Sequence, residues 1–371
     1  MKKYIVVGAG ILGASTAYHL AKSGIDVTLI DGNDSGQATD AAAGIVCPWI
    51  SQRRNKRWYQ LVKEGAKYYP ELIQQLEEIG ERVTGYQRVG ALSLHIDEDK
   101  IDKMVQRALK RKEDAPEMGE ILKLSKEETL KRFPLLAEGF SSVFVSGAAR
   151  VDGRLLRKAL ISGAVKYGAE HVHGTAELLI DNDEINGVVV NNEKVFAETV
   201  IVTAGAWANK LLLPLGVSFH VSAQKGQIIH LQLSEENTSS WPVVMPPNNQ
   251  YLLAFDGGRI VIGATHENKE NLTSNVTAGG LHEVLSKALQ VAPGLKESTH
   301  IETRVGFRPF TPEFLPVFGE VPNWKGLFLA NGLGASGLTA GPFLGAELAK
   351  LVLDRDTILD PKEFPLEEAL F

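Results

Sequence analysis

Apolar positions at the start of the chain predict a strand, a helix and a second strand. Residues 4–7 form a short apolar run, residues 13–23 have apolar positions at helical spacing, and residues 27–31 form a second apolar run. Two such strands separated by one helix pair in parallel through a right-handed crossover. The pattern therefore predicts the opening unit of an α/β domain.

The rest of the chain alternates between helical and strand-like patterns. Helical spacing covers residues 57–80, 98–132, 153–168 and 338–353, and strand-like patterns cover residues 87–96, 177–202, 217–232, 250–255 and 259–264. The tripeptide Asp256-Gly257-Gly258 predicts a hairpin turn between the last two strands. The run at 200–202 is apolar throughout, which is typical of a buried parallel strand.

The distribution of these patterns predicts a discontinuous domain. α/β segments occur at the beginning, middle and end of the chain, and antiparallel strands and helices are inserted between them. We expect an α/β fold, α+β overall, in which a Rossmann-type domain of glutathione-reductase-like architecture carries an inserted antiparallel-sheet substrate domain. The expected Rossmann-type domain comprises residues 1–45, 145–216 and 320–371, and the expected substrate domain comprises residues 46–144 and 217–319.

Composition narrows the class of protein. The 371 residues are 44% hydrophobic and 23% charged, with a formal net charge of −6, which is ordinary for a globular chain and argues against nucleic acid as the main partner. The single cysteine excludes an intrachain disulfide and Cys-rich metal sites. The chain has no run of 18 or more apolar residues, so no membrane span is expected. We expect a cytoplasmic protein, with assembly into a homo-oligomer left open.

A glycine motif lies between the first strand and the first helix. Gly8, Gly10 and Gly13 have the spacing G-x-G-x-x-G, and Asp31 ends the second strand. The first glycine allows a tight turn, the second allows close approach of a pyrophosphate, and the third allows the helix to pack on the strand. A carboxylate at Asp31 would accept hydrogen bonds from a ribose hydroxyl. The motif predicts an adenine dinucleotide but does not choose between FAD and NAD.

Four segments resemble the D-amino-acid oxidase family, most closely its bacterial glycine-oxidase branch, with sarcosine oxidases as relatives. They are residues 1–31, 36–45, 200–207 and 332–339. The resemblance implies that the Rossmann-type domain binds FAD. It also implies non-covalent attachment, because related sarcosine oxidases use a cysteine in the C-terminal third and this chain has none there. Cys47 is interpreted as a buried apolar filler, with a place in the flavin pocket as the alternative.

The resemblance assigns FAD contacts to residues along the whole chain. The loop of small residues at 41–44 would lie by the isoalloxazine, and Trp207 would lie near the adenosine. The N-terminus of the helix at 338–353 would lie near the flavin pyrimidine, where it would stabilise the negative charge that forms on reduction. Capping of a packing helix is the alternative for the last glycines. The expected contacts are Gly8, Gly10, Ile11, Leu12, Gly13, Asp31, Thr39, Asp40, Ala41, Ala42, Gly44, Ile45, Glu177, Thr203, Ala204, Gly205, Trp207, Arg308, Gly334, Ala335, Ser336, Gly337, Leu338 and Thr339.

On the substrate side, the resemblance aligns Arg308 with an arginine that binds the substrate carboxylate, which suits its planar guanidinium. Tyr251 matches a tyrosine that faces the substrate. His266 would contact substrate or lie in a solvated turn. Ala335 stands where some glycine oxidases carry an arginine, which weakens glycine as the substrate. These residues, Arg308, Tyr251 and His266, are the predicted catalytic group.

A basic cluster comprises Arg53, Arg54, Lys56 and Arg57. It is interpreted as a solvated helix start, with steering of anionic substrates as the alternative. His220 with His230 and His171 with His173 lack the spacing or carboxylate support of metal ligands, so no metal site is expected.

The expected reaction is oxidation of an amino acid or secondary amine that carries a carboxylate: glycine, sarcosine or another N-substituted glycine, or a D-amino acid. Hydride would pass from the α-carbon to flavin N5, the imine would hydrolyse, and O2 would be reduced to H2O2. The alternatives are a D-amino-acid dehydrogenase that passes electrons to a quinone or carrier, an NAD-dependent dehydrogenase, and a flavin-binding subunit without amine oxidation.

Overall fold

The computed structural model describes residues 3–32, 34–181, 184–234, 237–268 and 271–370. Residues 182 and 183, inside the strand-like pattern at 177–202, lie outside the described residues. The described α-helices are α1 (Ile11–Lys22), α2 (Lys56–Glu78), α3 (Glu98–Lys112), α4 (Lys126–Arg132), α5 (Gly153–Lys166), α6 (Ala208–Leu212), α7 (Ala278–Val291) and α8 (Gly337–Val352).

The described strands alternate with these helices along the whole chain. They are β1 (Lys3–Val7), β2 (Asp26–Asp31), β3 (Ile45–Val46), β4 (Gln87–Arg88), β5 (Ala91–His95), β6 (Ile121–Leu124), β7 (Ser141–Val145), β8 (Ala149–Arg150), β9 (Glu170–His173), β10 (Ala176–Asp181), β11 (Glu184–Val190), β12 (Glu193–Phe196), β13 (Thr199–Val202), β14 (Ser222–Gln232), β15 (Val243–Met245), β16 (Tyr251–Ala254), β17 (Arg259–Gly263), β18 (Glu267–Asn268), β19 (Thr299–Phe310), β20 (Val317–Glu320) and β21 (Leu327–Asn331).

A six-stranded sheet has the order β20-β21-β13-β1-β2-β9. Strands β21, β13, β1, β2 and β9 are parallel, and β20 adds an antiparallel edge. The inner strands are buried: Ile5, Val6 and Ile201 have no solvent-accessible surface. Parallel strands covered on both faces need such continuous apolar runs, which explains why the strand pattern at 4–7 and 200–202 lacks polar alternation.

Helices α1, α5 and α8 pack together beside this sheet, and α2 packs on α8. Small residues set the close contacts. A Cβ on Gly345 in α8 would lie 2.6 Å from the Cβ of Ser15 in α1, and a Cβ on Gly65 in α2 would lie 2.3 Å from the carbonyl oxygen of Thr339. A Cβ on Gly341 would likewise lie 2.8 Å from Ile11 Cγ2, so the first turns of α8 lie against the first turn of α1.

The largest sheet is mainly antiparallel. Its order is β18-β14-β17-β16-β15-β5-β7-β6, and β19 pairs along β14. One pair, β15 with β5, is parallel. The expected hairpin is confirmed, because β16 and β17 pair antiparallel across the turn at residues 256–258. Two smaller sheets have the orders β10-β11-β12 and β3-β8-β4. The fold is the expected one: a Rossmann-type domain with an antiparallel-sheet substrate domain.

The helical pattern expected across 98–132 is wrong in its middle. Helix α3 ends at Lys112, and the chain then turns through Pro116 and Gly119, whose φ of 68° suits glycine. Residues Ile121–Leu124 form β6, which pairs with β7. Sheet pairing outweighs the local helical spacing here, and α4 restarts at Ser125, which forms a capping box with Glu128.

Among the described residues, no helix is both long enough and apolar enough to cross a membrane.

Candidate active site

A cavity of about 860 Å³ runs from the glycine turn after β1 to the large antiparallel sheet. Its walls include the β1–α1 turn, the end of β2, the loop at residues 37–48, the ends of β13 and β21, the start of α8, and strands β14, β16 and β19. The carboxyl ends of the parallel strands β1, β13 and β21 therefore meet the substrate sheet at one continuous cavity, which is the usual ligand position in open α/β sheets.

The glycine turn has the packing that the sequence predicts. Gly8 has φ of 101°, and a Cβ there would lie 2.7 Å from the carbonyl oxygen of Thr203. A Cβ on Gly13 would lie 1.9 Å from the carbonyl oxygen of Gly8. The Thr203 hydroxyl donates to the carbonyl oxygens of Val7 (3.1 Å) and Gly8 (2.9 Å), which holds the turn against β13. Gly13 thus serves packing and does not line the cavity.

The N-terminus of α1 points into the cavity with little side-chain obstruction. Gly10 is its N-cap and lines the cavity. The Thr39 hydroxyl accepts a hydrogen bond from the backbone N–H of Ile11 at 3.0 Å. The remaining first-turn N–H groups and the helix dipole create a binding position for a phosphate group.

Asp31 lines the cavity at the end of β2. Gln37 Nε2 donates to both carboxylate oxygens of Asp31, at 3.1 and 3.0 Å, and Arg157 donates to Gln37 Oε1. This arrangement orients the Asp31 carboxylate, which could then accept hydrogen bonds from a ribose. Gln37 was not singled out in the sequence, because an isolated glutamine in a loop carries no recognisable pattern.

Asp40 does not line the cavity. Its Oδ1 lies 3.2 Å from Arg157 Nη1, and its carbonyl oxygen accepts from Arg304 Nη1 at 3.3 Å. The Asp40 side chain thus forms an ion pair that anchors the loop to α5, and its position does not support the expected cofactor contact. Every other residue of the expected cofactor set except Gly13 lines the cavity.

The opposite end of the cavity is formed by the small-residue loop and α8. A Cβ on Gly44 (φ 94°) would lie 1.7 Å from the carbonyl oxygen of Val151, so the loop can pass there only as glycine. The Thr339 hydroxyl donates to the carbonyl oxygen of Ile45 at 2.9 Å, which joins the loop to the first turn of α8. The N-terminal residue Ser336 provides no side-chain cap to α8 and instead accepts from Trp58 Nε1 at 3.0 Å.

Arg308 lies on the substrate-sheet wall of the cavity, on β19 directly opposite Gln224 on β14. Its Nη1 donates to Gln224 Oε1 and to the carbonyl oxygen of Thr265, both at 3.2 Å. A Cβ on Gly226 would lie 2.7 Å from Arg308 Nη2, so glycine leaves the space that the guanidinium occupies. None of these partners is a carboxylate, so the positive charge of Arg308 is held in position without being neutralised by them.

Tyr251 lies beside Arg308. It begins β16 opposite Gly263 on β17, and a Cβ on Gly263 would lie 2.8 Å from the Tyr251 hydroxyl. Burial raises the pKa of Tyr251 to about 12, while Arg308, which donates a hydrogen bond to it, acts in the opposite direction. The hydroxyl is therefore protonated at neutral pH and can donate a hydrogen bond to an anion bound at Arg308.

His266 lines the cavity but is exposed to solvent. Its Nδ1 is 3.1 Å from Gln224 Oε1, the same oxygen that accepts from Arg308. Because that oxygen can only accept, Nδ1 carries the hydrogen. Partial burial and the positive charge of Arg308 lower the pKa of His266, so it is neutral at pH 7. Gln224 thus connects two of the predicted catalytic residues and was missed because its partners are distant in sequence.

The chemistry of the cavity fits FAD. Glycine turns leave room for backbone contact, and an oriented carboxylate stands at the end of β2. Two helix N-termini, whose own N-cap residues make no side-chain capping hydrogen bond, also face the cavity. The wall around Arg308 and Tyr251 is suited to an anionic group. Within the described ranges, no cluster of His, Cys, Asp and Glu could hold a metal ion.

Comparison with known families gives one assignment across nearly the whole chain. Residues 3–351 match the family model described as DAO, FAD dependent oxidoreductase. The chain belongs to this family. The DAO family is FAD-dependent, so this chain is an FAD-dependent oxidoreductase of amino acid and amine donors.

Relatives within the DAO family differ in their similarity to this chain. It is 64% identical to the uncharacterized oxidoreductase YurR of Bacillus subtilis (strain 168), over 97% of each chain. It is 44% identical to iminodiacetate oxidase (IdaA) from Chelativorans sp. BNC1, with a TM-score of 0.95 and 98% of each chain covered. The glycine oxidase of Geobacillus kaustophilus is 26% identical, with a TM-score of 0.86 and 99% of each chain covered. The expected glycine-oxidase branch is thus represented at lower identity than IdaA.

Cys47 of this DAO-family chain lines the cavity and is also buried. Burial raises the pKa of its thiol to about 12, so the thiolate is not populated at neutral pH. Cys47 thus has the buried position expected of an apolar filler and also lines the cavity.

Proposed function

We propose that this DAO-family chain is an oxidase of N-substituted glycines, such as iminodiacetate or sarcosine. The main support is the environment of the Arg308 guanidinium. It lines the cavity, donates hydrogen bonds to neutral oxygens of Gln224 and Thr265, and lies beside a protonated tyrosine. The similarity to iminodiacetate oxidase, at 44% identity, supports an N-substituted glycine over glycine itself. Ala335, which carries no cation at the other end of the cavity, is consistent with this choice.

In the proposed reaction, Arg308 binds the substrate carboxylate and Tyr251 donates a hydrogen bond to it. Both groups project from strands of the same sheet, so the α-carbon would be held in one orientation before reaction. The substrate nitrogen must be neutral for its lone pair to assist. The neutral Nε2 of His266 is a candidate acceptor for the ammonium proton.

FAD, when bound, supplies the hydride acceptor at N5 and is reoxidised by O2 to give H2O2. The residues proposed to hold it are those of the expected set that line the cavity, with α8 directing its N-terminus at the flavin end. We propose non-covalent binding, because Cys47 is the chain's only cysteine and its thiol is protonated at neutral pH. Loss of hydride from the α-carbon converts the C–N bond into the C=N bond of an imine. The imine then hydrolyses in water to an amine and an aldehyde acid or keto acid.

We also propose a division into two domains that follows the sheets. Residues of β1, β2, β9, β13, β20 and β21 would belong to the FAD-binding domain, and the strands paired with β14 and β5 to the substrate domain. We propose the last domain boundary near residue 316, a few residues before the expected 320, because β20 begins at Val317. Limited proteolysis of loops between the sheets would test this division.

The test is a peroxide-coupled assay with iminodiacetate, sarcosine, glycine and D-alanine as substrates. We expect the N-substituted glycines to give the highest kcat/KM, with one H2O2 formed per amine oxidised. Flavin reduction by these amines without peroxide formation would favour a dehydrogenase that uses a quinone or carrier. A preference for D-alanine or glycine would contradict the proposed substrate class.

Replacement of Arg308 tests the carboxylate site. We expect Arg308→Ala to raise KM for every carboxylated amine by roughly 30-fold or more, because loss of one partner of a desolvated charge pair costs about 2–5 kcal/mol. Flavin content is expected to remain. Arg308→Lys, which keeps the charge and loses the planar fork, should recover part of the affinity. Unchanged KM in Arg308→Ala would contradict the assignment.

A further inference from the structure

A second cavity, of about 400 Å³, has a strongly basic lining. Five cationic side chains contribute to it, and none of its lining residues is acidic; the cations are Arg53, Arg54, Lys56, Arg107 and Arg111. The sequence predicts a solvated helix start for the first three of these residues together with Arg57. The structure separates them: Arg57 pairs with Glu368 at 3.2 Å, whereas the others join two arginines of α3 around a common space.

The hydrogen bonds of these arginines leave their charges without carboxylate partners. Arg111 Nη1 donates to the carbonyl oxygens of Trp49 and Ser51, the second at 2.7 Å. Arg53 Nη2 donates to the carbonyl oxygen of Phe314 at 2.7 Å. Arg107 Nε is buried and has no hydrogen-bond partner among the described residues. Carbonyl oxygens satisfy donors but do not cancel a full charge, so the cavity retains a positive potential.

Acidic residues near this cavity are engaged with other groups. Asp114 lies 3.2 Å from Lys63 Nζ, and Glu117 accepts from Trp49 Nε1 at 3.3 Å. Both act on Tyr59, and Asp114 also acts on Arg111, but neither acidic residue lines the cavity. A bound anion could supply the counter-charge that the lining of the cavity lacks.

The basic cavity and the active-site cavity share one chain segment. Ser51 and Trp58 line the active-site cavity, and residues 52–56 between them line the basic cavity. The Arg53 guanidinium lies 4.8 Å from the ring centroid of Trp58, which in turn bonds to Ser336 at the start of α8. An anion held among these cations would thus lie beside the wall of the active site.

We infer that the basic cavity is an anion-binding site for small molecules with two or more carboxylates, separate from the single-carboxylate site at Arg308. The choice of carboxylates over other anions rests on the proposed function. A site of this kind would raise the local concentration of a dicarboxylate substrate beside the active site. None of its lining residues lines the active-site cavity, so its cations would act on capture and not on the chemical step.

The binding test uses citrate, which has no amine to be oxidised, in calorimetric titrations of the FAD-loaded protein. Arg308→Ala serves as the background, because it removes the inner carboxylate site. We expect citrate to bind this variant. We expect citrate binding to weaken about tenfold or more when three further substitutions are added, Arg54→Gln, Lys56→Gln and Arg107→Gln. The control is Arg82→Gln, which changes an exposed arginine outside the cavity and should leave citrate binding unchanged.

Three outcomes overturn the inference: no citrate binding to the Arg308→Ala background, equal binding after the three substitutions, or tighter binding of inorganic phosphate than of citrate. The flavin absorbance spectrum checks that each variant is folded. Arg54→Gln and Lys56→Gln, at exposed positions, provide a second test that is insensitive to folding. Citrate binding in a protein that oxidises none of the tested amines would support this site and contradict the proposed function alone.

A kinetic measurement tests the role in capture. With the Arg308 site intact, the substitutions Arg54→Gln and Lys56→Gln are expected to lower kcat/KM for iminodiacetate more than for sarcosine, with kcat unchanged. The difference should shrink as salt is added, because screening weakens interactions between exposed charges. Equal losses for both substrates would contradict capture of the second carboxylate.

Discussion

At the scale of single residues, the Arg308 site depends on neighbours that would not themselves touch a substrate. Gln224 Oε1 accepts from both Arg308 and His266, and its Nε2 donates to Asn268 Oδ1 at 3.0 Å. Gly226 leaves the space for the guanidinium. Each of these contacts can be removed without removing the charge of Arg308. Such variants therefore measure the effect of positioning the guanidinium separately from the effect of its charge.

Gln224→Leu removes the shared acceptor. We expect KM for sarcosine to rise about tenfold or more with a smaller change in kcat, because a hydrogen bond to a charged group contributes about 1.5–3 kcal/mol. Gln232→Leu, on the same strand but bonded to the carbonyl oxygens of Leu233 and Gly257, is the control. Equal kinetics for the two variants would show that Gln224 does not position Arg308.

Gly226→Ala places a methyl group 2.7 Å from Arg308 Nη2. The end of the arginine can move, so we expect little loss of thermal stability but a clear rise in KM. Gly279→Ala, whose Cβ would meet no atom within 4 Å, is the matched control in α7. A large fall in Tm without a KM effect would contradict this account of Gly226.

At the scale of elements, the strand β14 carries both the site and a buried titratable group. His230 is 2% exposed and lies 4.0 Å from Glu302 on β19. Burial, with Arg304 and Arg259 nearby, lowers the pKa of His230 to about 4, against the opposing effects of Glu302 and Asp152. In mild acid the His230 imidazole therefore stays neutral in the folded sheet but is protonated in the unfolded chain.

The consequence is a loss of stability in mild acid. Between pH 6.5 and about 4 the unfolded state binds a proton at His230 that the folded state does not, so the free energy of unfolding falls as the pH falls through this range. The full difference is about 3 kcal/mol and is absent above pH 6.5. We expect His230→Gln to flatten the dependence of Tm on pH between 6.5 and 4, and the exposed His282→Gln not to. Parallel curves for wild type and His230→Gln would contradict this assignment.

Elements with strong local signals were predictable from sequence, and those fixed by distant partners were not. The glycine turn at Gly8, the acidic end of β2 and the turn at Asp256 each have a local pattern that physical chemistry explains. Strand β6 has no such pattern, because its pairing with β7 decides its conformation. Gln224 lies 84 residues from Arg308 in sequence, and only the register of β14 with β19 brings them together.

At the scale of the whole molecule, ion pairs join the start of α5 to the β16–β17 hairpin. Arg259 lies 2.9 Å from Asp152, the N-cap of α5, and Arg150 lies 2.8 Å from Asp256. Arg150 is 3% exposed, so this contact is well shielded on one side. The parallel sheet that forms one end of the cavity and the antiparallel sheet that carries Arg308 are thereby held in a fixed relation, which the account requires for reaction geometry.

The most direct test of the account is anaerobic mixing of the purified yellow protein with iminodiacetate, followed by its visible spectrum. We expect iminodiacetate to bleach the flavin absorbance, and air to restore it with formation of H2O2. We also expect acid precipitation to release the flavin from the chain, as non-covalent binding requires. A protein that is colourless and does not take up added FAD, or one whose bound flavin is bleached by none of the carboxylated amines, would contradict it.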